Sequence, residues 1–465
     1  MSKVRPISGF PEWLPSERII EQHFLDVIRE TFELHGFSSI QTRAVEPIER
    51  LSSQGEDTDK EIYAISRLAA GADASSRDPK LGLHFDLTVP FARYVLENAG
   101  KLTFPFRRYQ IQPVWRGERP QEGRYREFTQ CDIDIVDVGR LAPQYEAELP
   151  LVVADAFSKL PIGPFRIQVN NRKIPQGFYL GIGISDVQTM LRIVDKLDKI
   201  GPDAVLDLMV SAGATAEQAR AALALAQINA PDESFVEQVQ ALGVQHETLT
   251  QGLAELAAVM RVGAEHASGL MVADLKVARG LDYYTGTVYE TQLIGSESYG
   301  SICSGGRYDA LASDGKTTYP GVGISIGLSR LLARIMPSLS VSRSTPSCVL
   351  VALADESDRA HGMDVAAVLR RRGIACEVAP VAAKFGKQIM FAQRRGIPFV
   401  WFPASGEQGA DPGTRSGRDS VKDIRSGVQS EADAASWMPP AEDLRPQVLA
   451  RPGLDDGEDG TKGRD

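Results

Sequence analysis

Nine consecutive residues, Ala278-Arg279-Gly280-Leu281-Asp282-Tyr283-Tyr284-Thr285-Gly286, hold one cation, one carboxylate, two phenols and two glycines. That is more polar function than a core strand needs. Glycine lets a main chain come close to a ligand, and a guanidinium that keeps its charge reaches an anion, so Arg279 is a candidate substrate-site residue. On an extended chain Tyr283 and Tyr284 point to opposite faces, which predicts that at most one of them meets the same ligand as Arg279. A hairpin with a buried, paired arginine would use the same residues.

A second concentration of chemistry is Val114-Trp115-Arg116-Gly117-Glu118-Arg119-Pro120, continuing through Gln121-Glu122-Gly123 into Arg124-Tyr125-Arg126-Glu127-Phe128. An arginine ends one strand and another precedes an aromatic on the return. The spacing suits a nucleotide, with Arg116 at an inner phosphate, Arg124 on the loop at the outer phosphates, Phe128 under the base and Glu118 at its amino group. Arginine fits because its planar fork matches phosphate oxygens. A surface hairpin laced with ion pairs is the competing reading.

These groups need elements to hold them. Two strands between about 104 and 138 form a long hairpin; in the second, Phe128, Gln130, Asp132 and Asp134 share one face and Cys131, Ile133 and Ile135 the other. One face packs, while the other displays carboxylates and an amide. Upstream, Ser16 to His35 reads as a helix capped by Ser16 and stopped by Gly36, with Ile20, Phe24, Val27, Ile28 and Phe32 on one stripe. Phe37 to Val45 reads as a strand. From about 186 to 267 an Ala-rich helical pattern, clearest at Asp186 to Lys199 and Thr215 to Ala226, predicts an insertion. Strands resume at about 270 to 327 and a helix from Leu328 closes the unit. Beyond a Ser-rich linker, Ser338 to Ser347, the pattern becomes βαβαβ, with strands at Cys348 to Leu353, Ala375 to Val378 and Pro398 to Phe402. Ser405 to Asp419 is expected to be a mobile loop, and everything beyond about 444 disordered. The expected domains are therefore 1–337, with the insertion at about 186–267, then 347–443, then an acidic tail, 444–465.

With 465 residues, 43% hydrophobic and 24% charged, the chain reads as an ordinary globular protein of several domains. No apolar run approaches a membrane span, and Met1-Ser2-Lys3-Val4-Arg5-Pro6 lacks the apolar core of a signal peptide, so a cytoplasmic location is expected. Cys131, Cys303, Cys348 and Cys376 are too far apart for a zinc ribbon, and the six histidines form no metalloprotease helix. A net charge of −10 speaks against a nucleic-acid partner. That objection is weak, because Leu454 to Asp465 alone carries five carboxylates against two cations. Local basic clusters remain at Arg107-Arg108, at Arg116, Arg119, Arg124 and Arg126, and at Arg370-Arg371-Arg372.

The order of these segments resembles a known family. Arg116-x-Glu118, a loop, and Arg124-x-x-x-Phe128 look like motif 2 of the class II aminoacyl-tRNA synthetases. Gly321-Val322-Gly323-Ile324-Ser325-Ile326-Gly327-Leu328-Ser329-Arg330 resembles their motif 3, a glycine-rich strand running into a helix that carries an arginine. With Arg279-Gly-Leu-Asp-Tyr-Tyr284 and Ser304-Gly-Gly-Arg-Tyr308-Asp309, the set resembles the histidyl-tRNA synthetases from about residue 9 to 430.

The resemblance implies an α+β fold: an antiparallel-sheet catalytic core with a helical insertion, then a small α/β anticodon-binding domain, for which Lys384-Phe385-Gly386-Lys387-Gln388 and Arg394-Arg395-Gly396 are the local match. It implies a homodimer that uses ATP with magnesium, histidine and tRNA(His). It assigns the α-phosphate to Arg116 and, from the opposite side, to Arg279; the outer phosphates to Arg124 and Arg330; and the adenine to Glu118, Phe128 and Arg330. Asp86 and Thr88, within His84-Phe85-Asp86-Leu87-Thr88-Val89-Pro90, would hold the α-ammonium of the amino acid. Gln130 would also face it, and Asp134, Tyr284 and Tyr308 would read the imidazole. Adenylation is consistent with the residue set, since the substrate carboxylate is itself the nucleophile and no activated Ser, Cys or Lys is needed.

Two positions depart from the family pattern. Arg43, in Ile40-Gln41-Thr42-Arg43-Ala44-Val45-Glu46, stands where motif 1 usually has proline, and Ser329 where motif 3 usually has an acid, which leaves the residues that hold magnesium unassigned. Two other classes compete with this reading. One is the silent regulatory subunit of ATP phosphoribosyltransferase, which usually lacks the Arg279 motif and the C-terminal domain; the other is a class II synthetase for a different amino acid, which would lack the two tyrosine motifs.

Overall fold

The computed structural model describes residues 5–52, 61–66, 80–277, 283–404 and 418–451. Arg279 and most of the Ser405 to Asp419 segment lie outside them. The chain forms two compact units, one from residues up to Pro11 together with Asp26–Arg334, the other from Glu12–Leu25 together with Ile335 onward.

The first unit is built on a nine-stranded sheet in the order Ser38–Ser39, Phe106–Trp115, Glu127–Val136, Gly321–Gly327, Cys303–Tyr308, Thr287–Leu293, Phe165–Asn171, Met271–Asp274, Asn229–Ala230. The six strands from Phe106–Trp115 to Phe165–Asn171 are antiparallel neighbours; Ser38–Ser39 and Met271–Asp274 add on in parallel. The apolar face of the long hairpin is as expected, with Cys131, Ile133 and Ile135 wholly buried, but the polar face carrying Gln130, Asp132 and Asp134 is buried as well. The helix Gln144–Ser158 packs on the Gly321–Gly327 strand.

The first helix runs Pro15–Leu34 and starts one residue before the expected cap, with proline in its first turn and the Glu17 carboxylate taking the Leu14 N–H at 2.7 Å. Gly36, at φ +77°, ends it, and Ile20, Phe24, Ile28 and Phe32 are buried. The single strand expected over Phe37 to Val45 is replaced by two short ones, Ser38–Ser39 on the large sheet and Val45–Pro47 on a small three-stranded sheet with Leu81–Leu83 and Ala64–Ile65. Between them Thr42 is turned inward, where its hydroxyl accepts from Gln110 Nε2 at 2.8 Å. The Ala-rich stretch folds as helices Val187–Val194, Leu197–Ser211, Ala216–Ala226, Phe235–Gln240 and Glu247–His266. Asp186 caps the first through Thr189 N–H, and Thr215 with Gln218 forms a capping box on the third.

The second unit carries a five-stranded sheet in the order Cys376–Val378, Val349–Val351, Phe399–Phe402, Ser420–Asp423, Gln429–Glu431. The first three strands are parallel, joined through helices Arg359–Arg371 and Phe385–Arg395, and the last two are antiparallel additions. Disorder beyond about 444 is overturned for the first residues of that tail, because Val448–Ala450 pairs antiparallel with Leu339–Val341. The linker supplied the partner strand that the tail's short apolar run needs.

The candidate active site

One cleft of about 540 Å³ opens on the large sheet, and its lining includes Asp86, Thr88, Arg116, Glu118, Arg124, Phe128, Gln130, Tyr284 and Arg330. Of the residues expected at a site, all those described meet there except Asp134 and Tyr308, which lie beneath its floor at 1% exposure each. Arg279 lies outside the described residues.

The floor is a buried polar layer on the strand Glu127–Val136. Tyr308 donates to Asp134 Oδ1 at 2.7 Å, and Arg108 meets Asp134 Oδ2 at 2.5 Å with its guanidinium 4.4 Å from the Phe91 ring centroid. Arg108, half of the local basic cluster Arg107-Arg108, is fully buried, and its neighbour Arg107 pairs with Glu148. Glycine makes this layer possible. Gly323 faces Asp134 across the ladder, where a Cβ would overlap the Asp134 carboxylate, and a Cβ on Gly321 would come within 2.6 Å of the Tyr308 ring. The glycine string is therefore a space requirement as well as a packing device.

Asp86 sits at the start of the helix Thr88–Asn98, its Oδ1 accepting the Val89 N–H at 3.1 Å and its Oδ2 the Tyr283 hydroxyl at 3.2 Å. Burial pushes its pKa up to about 6, with Asp132 adding to the rise and Arg116 pulling it back. Burial raises Asp132 to about 6 against the pull of Arg108 and Arg116, and raises Asp134 to about 7 against the pull of Arg108. Tyr283 and Tyr284 both line the cleft, with ring centroids 5.0 Å apart; the expectation about which of them shares a ligand with Arg279 turns on a residue outside the described ones. The two tyrosines precede the strand that begins at Thr287, so strand alternation does not govern them.

At the other end, Arg116 is half-buried, donating from Nε to Phe85 O at 3.0 Å with its guanidinium 5.0 Å from the Phe128 ring centroid. Glu118 and Arg124 pair at 3.4 Å. Arg330 donates from Nε to Ser301 O at 2.8 Å and lies 4.6 Å from the Tyr299 ring centroid. Ser329 is buried and its hydroxyl takes the Thr129 N–H at 2.9 Å, while Arg43 pairs with Glu46 at 3.0 Å. Among the described residues no three His, Cys, Asp or Glu side chains gather as a metal site, and no helix is long and apolar enough to cross a membrane. Sequence reasoning passed over Asp132, which lines the cleft between Gln130 and Asp134; its place on their strand face was the available signal.

Residues 9–331 match the family model described as histidyl-tRNA synthetase. The chain is 58% identical to the histidine–tRNA ligase of Micrococcus luteus over 96% of this chain and 99% of that protein. It is also 58% identical to that of Cutibacterium acnes, over 97% and 99%. Among solved structures, the histidyl-tRNA synthetase of a Nostoc species superposes with a TM-score of 0.80 at 35% identity, covering 93% of this chain and 97% of that one. An ATP phosphoribosyltransferase regulatory subunit/histidyl-tRNA synthetase from Bacillus halodurans shares the fold alone, at 19% identity and a TM-score of 0.69 over 83% of this chain and 96% of that one. Motif order, fold and identity over nearly the whole length agree, and the chain belongs to the histidyl-tRNA synthetase family.

Proposed function

We propose that the histidine–tRNA ligase activity of this chain is divided between the two ends of its cleft. Histidine lies over the carboxylates, with its α-ammonium at Asp86 and Thr88, Gln130 beside it, and its imidazole between Asp134 and the Tyr284 hydroxyl. Tyr308 and Arg108 fix the Asp134 carboxylate from behind. ATP lies over the arginines: Arg116 and Arg279 on opposite sides of the α-phosphate, Arg124 and Arg330 at the outer phosphates, Phe128 and Arg330 about the adenine, and Glu118 at its amino group.

In the first step a carboxylate oxygen of histidine attacks the α-phosphorus. The bond from that phosphorus to the bridging oxygen breaks, and pyrophosphate leaves with the electron pair. The protein contributes alignment and donors to the charge on the α-phosphoryl oxygens rather than a nucleophile of its own. Magnesium, bound with ATP, supplies further charge neutralisation on the phosphates; a cation held chiefly by those phosphates needs few protein ligands. A ribose hydroxyl at the 3′ end of tRNA(His) then attacks the acyl carbon, the bond from that carbon to the phosphate oxygen breaks, and AMP departs with the electron pair as the hydroxyl proton passes to a phosphate oxygen or water. The C-terminal α/β unit reads the anticodon, a role favoured by exposed Lys384, Lys387 and Arg394 beside exposed Phe385 and Met390. The enzyme works in the cytoplasm as a homodimer.

The observation that carries this reading is the presence of both residue sets, acidic and cationic, on one cleft. ATP–pyrophosphate exchange with each of the twenty amino acids tests it: only histidine should support exchange. Equal exchange with another amino acid, or none with any, contradicts it.

A further inference from the structure

Asp132 is 2% exposed, lines the cleft, and has one carboxylate oxygen, Oδ1, without a hydrogen-bond partner. Its neighbour on the same strand face, Gln130, is 7% exposed and also leaves its acceptor, Oε1, unpartnered. The two orphans have one origin. Ser325 faces Asp132 across the ladder; its hydroxyl accepts from Gln130 Nε2 at 2.5 Å and bonds to Asp132. That arrangement commits the amide nitrogen to Ser325, while Gln130 Oε1 and Asp132 Oδ1 remain acceptors without a donor.

A buried carboxylate oxygen without a donor costs free energy, so a ligand that brings a donor gains by filling the gap. The gap calls for a cation. Among the described residues, Asp86, Asp132 and Asp134 interact with one another and with two guanidiniums, Arg108 and Arg116, so that with all three carboxylates ionised one negative charge exceeds the cations. An ammonium carries one positive charge and three N–H donors, and Asp86, Gln130 Oε1 and Asp132 Oδ1 are three acceptors at one end of the cleft.

We infer that Asp132 is a histidine-binding residue whose Oδ1 accepts a hydrogen bond from the substrate's α-ammonium, completing a three-acceptor cradle with Asp86 and Gln130. The inference rests on the reading that histidine occupies this end of the cleft, and adds to it a residue that the family resemblance did not assign. Asp134, by contrast, has both oxygens occupied by Tyr308 and Arg108. The two carboxylates of one strand thus do different work: Asp132 meets the ammonium, and Asp134 serves the ring.

The test is Asp132→Asn with two analogues that each lack one half of the amino-acid head. Histidinol keeps the ammonium and lacks the carboxylate; imidazole-4-propionate keeps the carboxylate and lacks the ammonium. Binding of each to the full-length enzyme is measured by titration, with ATP affinity and thermal unfolding followed alongside. D132N should weaken histidinol by roughly tenfold to a hundredfold, the size expected for a hydrogen bond to a charged group. Imidazole-4-propionate and ATP should bind as they do to the wild type. Because the substitution removes a buried charge one of whose oxygens has no hydrogen-bond donor, D132N should unfold at the same temperature as the wild type or higher. Equal weakening of both analogues, no weakening of either, or a loss of ATP affinity overturns the inference. Failure of the wild type to exchange with histidine overturns the underlying reading instead, and the two failures are told apart by the wild-type control.

Discussion

The two ends of the cleft are built on opposite plans. At the carboxylate end, Asp86, Asp132 and Asp134 are 3%, 2% and 1% exposed, held in one layer by Arg108, Tyr283, Tyr308 and Ser325. At the arginine end the groups are wetter and paired among themselves: the Arg124 side chain is 41% exposed and leans on Glu118, and Arg330 spends its donors on backbone carbonyls of Ser301 and Tyr299. On the proposed assignment, the difference follows from what each end would recognise. Telling histidine from apolar amino acids requires buried polar groups whose unmet bonds penalise the wrong ligand. Phosphate binding requires guanidiniums that keep their charge in water and exchange weak surface pairings for a ligand.

The largest effect should come from breaking the buried layer. Asp134→Ala leaves the Arg108 guanidinium buried without its carboxylate and should cost about 3–5 kcal/mol of stability, with exchange lost. Chemical denaturation checks it; a loss below about 1 kcal/mol would mean that the layer relaxes around the gap and is not rigidly built. Gly323→Ala drives a methyl into the same carboxylate from the facing strand and should cost about 1–3 kcal/mol while raising the KM for histidine more than that for ATP. Equal changes in the two KM values would remove the distinction between the ends.

The carboxylate end should also carry the pH dependence. With pKa values raised to about 6, 6 and 7 for Asp86, Asp132 and Asp134, the folded free enzyme binds more protons than the unfolded chain between the ordinary carboxylate range and neutrality. Stability of the free enzyme therefore falls as pH rises through that window. Histidine affinity, corrected for the ionisation of the ligand's own ring, should rise over the same interval because the ammonium pairs with the ionised form. Titrations of both substrates decide the matter: parallel pH profiles for histidine and ATP would contradict the account. The smallest effect belongs to the exposed pair. Glu118→Gln should change stability by no more than about 1 kcal/mol, measured by thermal unfolding, because surface pairs contribute little.

How much of this was legible in the sequence depended on how local the cause was. The hairpin, the helix over Thr215 to Ala226 and the βαβαβ pattern rest on neighbours a few residues apart, and they appear as expected. The sequence shows Arg108 only as half of a local basic cluster, because its carboxylate, Asp134, lies on the next strand and its aromatic, Phe91, on a helix. The pairing of Val448–Ala450 with Leu339–Val341 joins segments more than a hundred residues apart, so a short apolar run read as tail. Tyr283 and Tyr284 were assigned a strand's alternation where the chain turns. The orphaned oxygen of Asp132 was beyond sequence reasoning altogether, since it depends on which way Ser325 and Gln130 spend their hydrogens.

The central claim is that the two ends bind separate substrates, and Arg116→Ala tests it most directly, with exchange rate and histidine affinity measured on the same preparation. Loss of a donor aimed at transition-state charge should slow histidine-dependent pyrophosphate exchange by about 3–4 kcal/mol of activation free energy. Histidine titrated without ATP should bind as tightly as to the wild type or slightly more so, since one cation near Asp86 and Asp132 has gone. Histidine affinity falling in step with the exchange rate would contradict the account, because Arg116 would then serve both ends of the cleft.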